Sequence, residues 1–147
     1  MNKVDKALQL FSNNYNCSQA VFTAFATEDG ISEELALKLA TSFGGGARNG
    51  EMCGAVSGAL MVLGLKFGHI HSEDEEEKQR AYSLTTEFTR RFKEKNNSIV
   101  CRDLLGYDLS KEDEFDIIAS KGLCKTVCPL MVKDAVEILE QMLKEQE

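Results

Sequence analysis

Between Met52 and Leu65 the chain carries no charged residue. At about 1.5 Å rise per residue a helix over this run falls short of the ~20 residues that a membrane span needs. An apolar run of that length has to be buried by the protein itself, so it predicts a buried central helix over about residues 51–66. Gly50, Gly54 and Gly58 fall four apart on one face of that helix, where a neighbouring backbone can approach closely.

The surrounding sequence reads as further helices. Val4, Ala7, Leu8 and Phe11 recur at helical spacing before the polar break Ser12–Asn16. Asn16 and Gln19 have the spacing of a capping box, and Cys17, Ala20, Val21, Ala24 and Phe25 follow on one apolar face. Leu35, Ala36, Leu39, Ala40 and Phe43 trace a third helix behind Glu33 and Glu34, stopping at Gly44. The loop Gly44–Gly50 is too glycine-rich to propagate a helix. Ser72 with Glu75 reads as another capping box, heading a long helix with acids 73–77 at its start, Arg90, Arg91, Lys93 and Lys95 at its end, and Ala81, Leu84, Phe88 and Phe92 as its core stripe. A short helix carries Cys101, Leu104 and Leu105 up to Gly106, and a polar segment with Leu109, Phe115, Ile117 and Ile118 follows. Pro129 is placed as the first residue of a last helix whose buried side is Val132, Val136, Leu139 and Leu143. The expectation is one all-α domain over residues 1–147, a compact multi-helix bundle around the central helix.

A net charge of −7 gives no general attraction to nucleic acid, and no membrane insertion is expected. The first residues hold lysines without a following apolar core or cleavage site, so they do not read as a secretory signal and the cytoplasm is the expected compartment. Thiols there are normally reduced, so five cysteines point to chemistry, metal binding or plain burial more than to permanent disulfides.

Placed on the helix map, four cysteines fall at helix starts: Cys17 after Asn16, Cys53 after the glycine loop, Cys101 after Asn97-Ser98, and Cys128 before Pro129. Unpaired N–H groups and the positive end of the helix dipole stabilise a thiolate in such places, the form that attacks disulfides and binds metals. No spacing is Cys-x-x-Cys, and Cys124 to Cys128 is an i, i+4 pair. Against chemistry stands the use of cysteine as a small hydrophobe that fills core gaps.

Cys53-Gly54-Ala55-Val56-Ser57-Gly58, with Phe43–Gly46 and Tyr15–Ala20 before it, resembles the C_GCAxxG_C_C family of redox-active proteins. The segments Asn97–Gly106 and Cys128-Pro129 with Val132, Ala135 and Val136 resemble that family's later cysteine segments. The resemblance implies a thiol site at Cys17, Cys53, Cys101 and Cys128, with Cys124 as an extra, and associates the chain with oxidoreductase or transport functions without an assigned substrate.

Three functions compete. In the first, Cys53 attacks as thiolate and Cys17, Cys101 or Cys128 resolves the mixed disulfide, with a redox partner protein or small molecule supplying the other half. In the second, the same four thiolates hold zinc or an iron–sulfur cluster. The third is a non-catalytic helical adaptor, a homodimer through the glycine-marked face. Gly45, Gly46 and Arg48 are candidates for binding an anionic substrate group; Arg48 is placed to pair with the Cys53 thiolate or, as the favoured alternative, to stand as a solvated loop cation. The loop lacks the Gly-Lys-Ser/Thr ending of a phosphate loop, and His69 and His71 in a polar connector read as unliganded.

Overall fold

Asn16 and Gln19 set the first boundary that the site depends on. Asn16 Oδ1 accepts the Gln19 N–H at 2.9 Å and Gln19 Oε1 accepts the Asn16 N–H at 3.0 Å, the reciprocal capping box expected. Both side chains also reach the end of the next helix, Asn16 Nδ2 donating to Thr41 O and Gln19 Nε2 to Leu37 O. In the computed structural model, which describes Met1–Glu147, nine α-helices follow one another: α1 (Lys3–Ser12), α2 (Cys17–Ala26), α3 (Glu33–Ala40), α4 (Gly54–Phe67), α5 (Glu75–Asn96), α6 (Cys101–Leu105), α7 (Glu112–Lys121), α8 (Leu123–Thr126) and α9 (Cys128–Glu145). The fold is all-α, and its one β-type contact is an isolated antiparallel bridge between Met52 and Val100.

The core is built around α2 and α4. Helix α4 buries Gly54, Ala55, Val56, Gly58, Ala59, Val62 and Leu63, as its uncharged sequence requires. Helix α2 is even more enclosed, burying nine of its ten residues between α1, α3, α4 and α9. The two helices touch nearly backbone to backbone. A Cβ added at Gly54 would sit 3.1 Å from Ser18 N and 3.2 Å from Cys17 Cβ, and one at Gly58 would sit 2.9 Å from Ser18 O. Helices α5 and α9 close the far side with Phe88, Phe92, Val132, Val136 and Leu139.

Several sequence expectations shift. Helix α4 starts at Gly54, so Gly50 lies outside it, in a turn with φ of 67°. The glycine face of α4 is covered by α2 of the same chain and is not free to meet a second copy. Helix α3 buries Ala36 and Ala40, while Leu35, Leu39 and Phe43 are exposed; the alanine edge lets α3 lie close against α2. Asp74, not Ser72, caps α5, its carboxylate accepting the Glu77 N–H at 3.0 Å. The polar segment after Gly106 contains a helix, α7, with three acids in its first turn and Gly122 in the left-handed region at its end. Pro129 is the second residue of α9, one position later than expected.

A second, smaller hydrophobic cluster of Cys101, Leu105 and Ile118 lies under α6–α8 and meets the main core through Val127 and Cys128. The cysteines lie at the seam between the two clusters.

The α2–α4 contact gives a paired prediction. Ala has the higher helix propensity by about 1 kcal/mol, but at Gly58 its methyl collides with backbone, and overpacking costs about 1–3 kcal/mol. Gly58→Ala is expected to destabilise by about 1–2 kcal/mol in denaturant unfolding, whereas Gly64→Ala on the same helix, with nothing within 4 Å of its Cβ, stabilises by up to about 1 kcal/mol.

Candidate functional site

Four local devices bring the cysteines to helix starts, as the sequence predicted. Cys17 is the first residue of α2 behind the Asn16 cap, and Cys128 is the first residue of α9 ahead of Pro129. Cys53 is the N-cap of α4 and Cys101 the first residue of α6. The last two are held side by side by the Met52–Val100 bridge: the Cys53 N–H donates to Ile99 O at 2.7 Å and the Cys101 N–H to Glu51 O at 2.5 Å. Arg102 reinforces the pairing by donating to Gly50 O at 3.1 Å and bridging to Glu51.

The chain ahead of Cys53 makes the turn that permits this. Gly45, Gly46, Ala47 and Arg48 all have positive φ, so the chain winds through a left-handed turn closed by a hydrogen bond from Glu51 N to Gly46 O. Ala47 and Arg48 adopt that conformation against the Cβ penalty of roughly 1–2 kcal/mol per residue, local strain that the surrounding contacts must hold. Arg48 folds back across Gly45, its Nε donating to Gly44 O at 3.0 Å, so closely that a Cβ on Gly45 would lie 1.8 Å from Nη2.

All five cysteines line one narrow, chiefly apolar cavity of about 100 Å³, together with Gly45, Arg48, Gly54, Leu104, Val127 and Met131 among others. Cys17, Cys53 and Cys101 are buried, Cys128 is half-buried and Cys124 is exposed, and all five are free thiols. Cys124 was set aside in the sequence as an extra. Its only signal there is the i, i+4 spacing to Cys128, which becomes informative once α8 is seen to turn that spacing toward the cavity. Of the loop candidates, Gly45 and Arg48 line the cavity, while Gly46 packs against the Glu51 backbone. His69 stacks edge-on against Tyr82 and His71 is exposed, away from the cavity. No group of three or more His, Cys, Asp or Glu side chains is gathered in a geometry that could hold a metal ion.

At Cys53 and Cys101 the electrostatics run against the expectation of thiols acidified by helix ends. Burial pushes the Cys53 thiol up to about 11, although the N–H groups of Ala55 and Val56 in the first turn pull the other way. Burial likewise raises Cys101 to about 11; the nearby Cys124 adds to the rise and Arg48 opposes it. Losing water costs a thiolate more than one helix end returns. Donation of its S–H to Cys128 holds the Cys124 proton well above the usual thiol range, with burial adding to it and Arg48 opposing. Cys128 is drawn down by that donation, but contact with Cys17, burial and the neighbouring Cys17 and Cys53 raise it far more. The Arg48 guanidinium, which lines the cavity, acts on Cys101 and Cys124. Cys128 is the thiol whose titration responds to the most cysteine neighbours, Cys124, Cys17 and Cys53.

A family model described as "Putative redox-active protein (C_GCAxxG_C_C)" matches residues 15–142. The chain belongs to this family. No curated protein and no solved structure matches it. The match spans α2 to α9, so it takes in all five cysteines and the loop that carries Arg48. No helix is long and apolar enough to cross a membrane.

Burial sets the pH behaviour of the site. The thiolate fraction of Cys53 rises about tenfold per pH unit until about pH 11, so its alkylation rate, read by mass spectrometry, is expected to climb log-linearly over that range. Stability carries the matching sign. Thiols that keep their protons to about 11 when folded and lose them near 9.0 when unfolded contribute stability that is intact below pH 9.0 and lost as pH rises to about 11. The loss is on the order of 2 kcal/mol for each of Cys53 and Cys101, checked by urea unfolding of the reduced protein across that range.

Proposed function

We propose that this chain is a thiol–disulfide redox protein, in which two thiols of the cavity are oxidised to a disulfide as a partner's disulfide is reduced to two thiols. Cys17, Cys53, Cys101 and Cys128 form the working set, Gly45 and Arg48 shape the wall beside them, and the partner is a protein or small-molecule disulfide. The observation that carries this reading is the convergence of five free thiols from four separate segments on one small apolar cavity. A cysteine used only to fill a core gap needs no thiol neighbour, yet here Cys128 shares the cavity wall with four other cysteines. The family description points the same way.

The chemistry differs from that of an acidified, fast-attacking cysteine. At neutral pH Cys53 and Cys101 are protonated thiols, and their attack proceeds through a small thiolate fraction. Because a thiolate of high pKa is a poor leaving group, a disulfide formed among these sulfurs resists reopening. A reducing compartment such as the cytoplasm, which returns the thiols to the free state, belongs to this proposal.

The test is anaerobic purification followed by metal analysis and timed alkylation, before and after exposure to a disulfide oxidant. Metal-free protein that gains a reversible intramolecular disulfide among these cysteines is the expected result. Stoichiometric metal with thiols that resist alkylation until a chelator is added would overturn it in favour of a binding module.

A further inference from the structure

Cys124 alone of the five cysteines is exposed, and it stands on two surfaces at once. It lines the inner cavity, and it also lines an open groove on the outside with Phe11, Tyr15, Lys125 and Pro129. Cys124 is exposed, Cys128 half-buried and Cys17 buried, and all three line the inner cavity, so the thiols run from the surface to the core in the order 124, 128, 17. We infer that Cys124 is the entry thiol of this protein, accepting a small anionic disulfide in the outer groove and passing the oxidising equivalent through Cys128 to Cys17. The inference rests on the redox reading above and adds to it a residue, a route and a substrate class.

Each step balances. Cys124, which gives its proton to solvent and reacts through its small thiolate fraction, attacks one sulfur of R–S–S–R, forming a mixed disulfide and releasing one R–S⁻, which takes a proton. Cys128 then attacks Cys124 Sγ, closing a 124–128 disulfide and releasing the second R–S⁻. Cys17 attacks Cys128 Sγ in turn, forming the 17–128 disulfide and returning Cys124 as thiolate, which takes up a proton. Cys17 and Cys128 are oxidised, and one R–S–S–R is reduced to two R–SH.

The backbone accommodates the middle step. Residues four apart on a helical path have Cα atoms about 6 Å apart, inside the roughly 4.4–6.8 Å that a disulfide spans. Helix α8 is only four residues long, and Pro129 has no N–H to donate to Lys125 O, so the α8–α9 junction lacks the hydrogen bond that would stiffen it. The charge preference comes from Arg48, whose guanidinium acts on Cys124 from the cavity side, and from Lys125 beside it in the groove.

Oxidised glutathione is the anionic probe and cystamine the cationic one, each reacted with the reduced full chain and mapped by mass spectrometry. In the unaltered protein the product is the 17–128 disulfide with Cys124 free. Cys128→Ser accumulates a glutathione adduct on Cys124, and Cys124→Ser slows oxidation by at least about tenfold, since only buried or half-buried thiols remain. Glutathione disulfide reacts faster than cystamine at equal concentration. Oxidation of Cys124→Ser at the unaltered rate, or a first adduct on Cys101 in Cys128→Ser, would sink the entry role while leaving the redox reading standing. A faster reaction with cystamine overturns the anionic substrate. Failure of the unaltered protein to form any intramolecular disulfide, with glutathione disulfide or with diamide, removes the redox reading and this route together.

Discussion

The near-backbone contact between α2 and α4 is the constraint on which the site depends. Gly54 and Gly58 have no side chain to hold the helices apart, so Ser18 and the Cys17 Cβ come within van der Waals reach of α4. Cys17 is thereby brought to the start of the helix that Cys53 caps. A larger residue at either glycine would drive α2 outward and open the cavity between them. The glycines conventionally read as a loop-and-helix signature are, physically, the means by which two cysteines far apart in sequence share one wall.

On that wall two effects compete, and the larger one decides what kind of thiols these are. Helix starts offer N–H groups and a favourable dipole to a thiolate, and Ala55 and Val56 provide such groups for Cys53. Exclusion of water by the apolar lining costs the thiolate more, so Cys53 and Cys101 rest protonated. Cys53 and Cys101 are therefore held neutral, and Arg48, the cation that lines the cavity, acts on Cys101 and Cys124. The strained left-handed turn that delivers Arg48 makes sense in this light, since Ala47 and Arg48 would not adopt positive φ without contacts that hold them there.

Much of this was legible in the sequence for reasons of local physics. Capping at Asn16, the uncharged run after Cys53, the charge gradient along α5 and the proline after Cys128 each act over a few residues, so each fixed a helix boundary to within a few positions. Helix α7 was less visible because only Ile118 is buried, leaving a weak apolar stripe among acids. The enclosure of α2 was also understated, although residues 12–27 carry no charge. Cys124 was passed over because a one-turn helix such as α8 has no periodicity of its own and takes its shape from the packing of Leu123 and Val127 under α6 and α7.

By itself the sequence determined an all-α chain with four cysteines at helix starts, because caps, propensities and apolar spacing are short-range properties. Only the tertiary structure decided that five cysteines line one cavity and that burial overrides the helix ends in setting the protonation of Cys53 and Cys101. Those outcomes depend on which surfaces lose water and which backbones approach, and both are properties of the packed molecule rather than of any one segment.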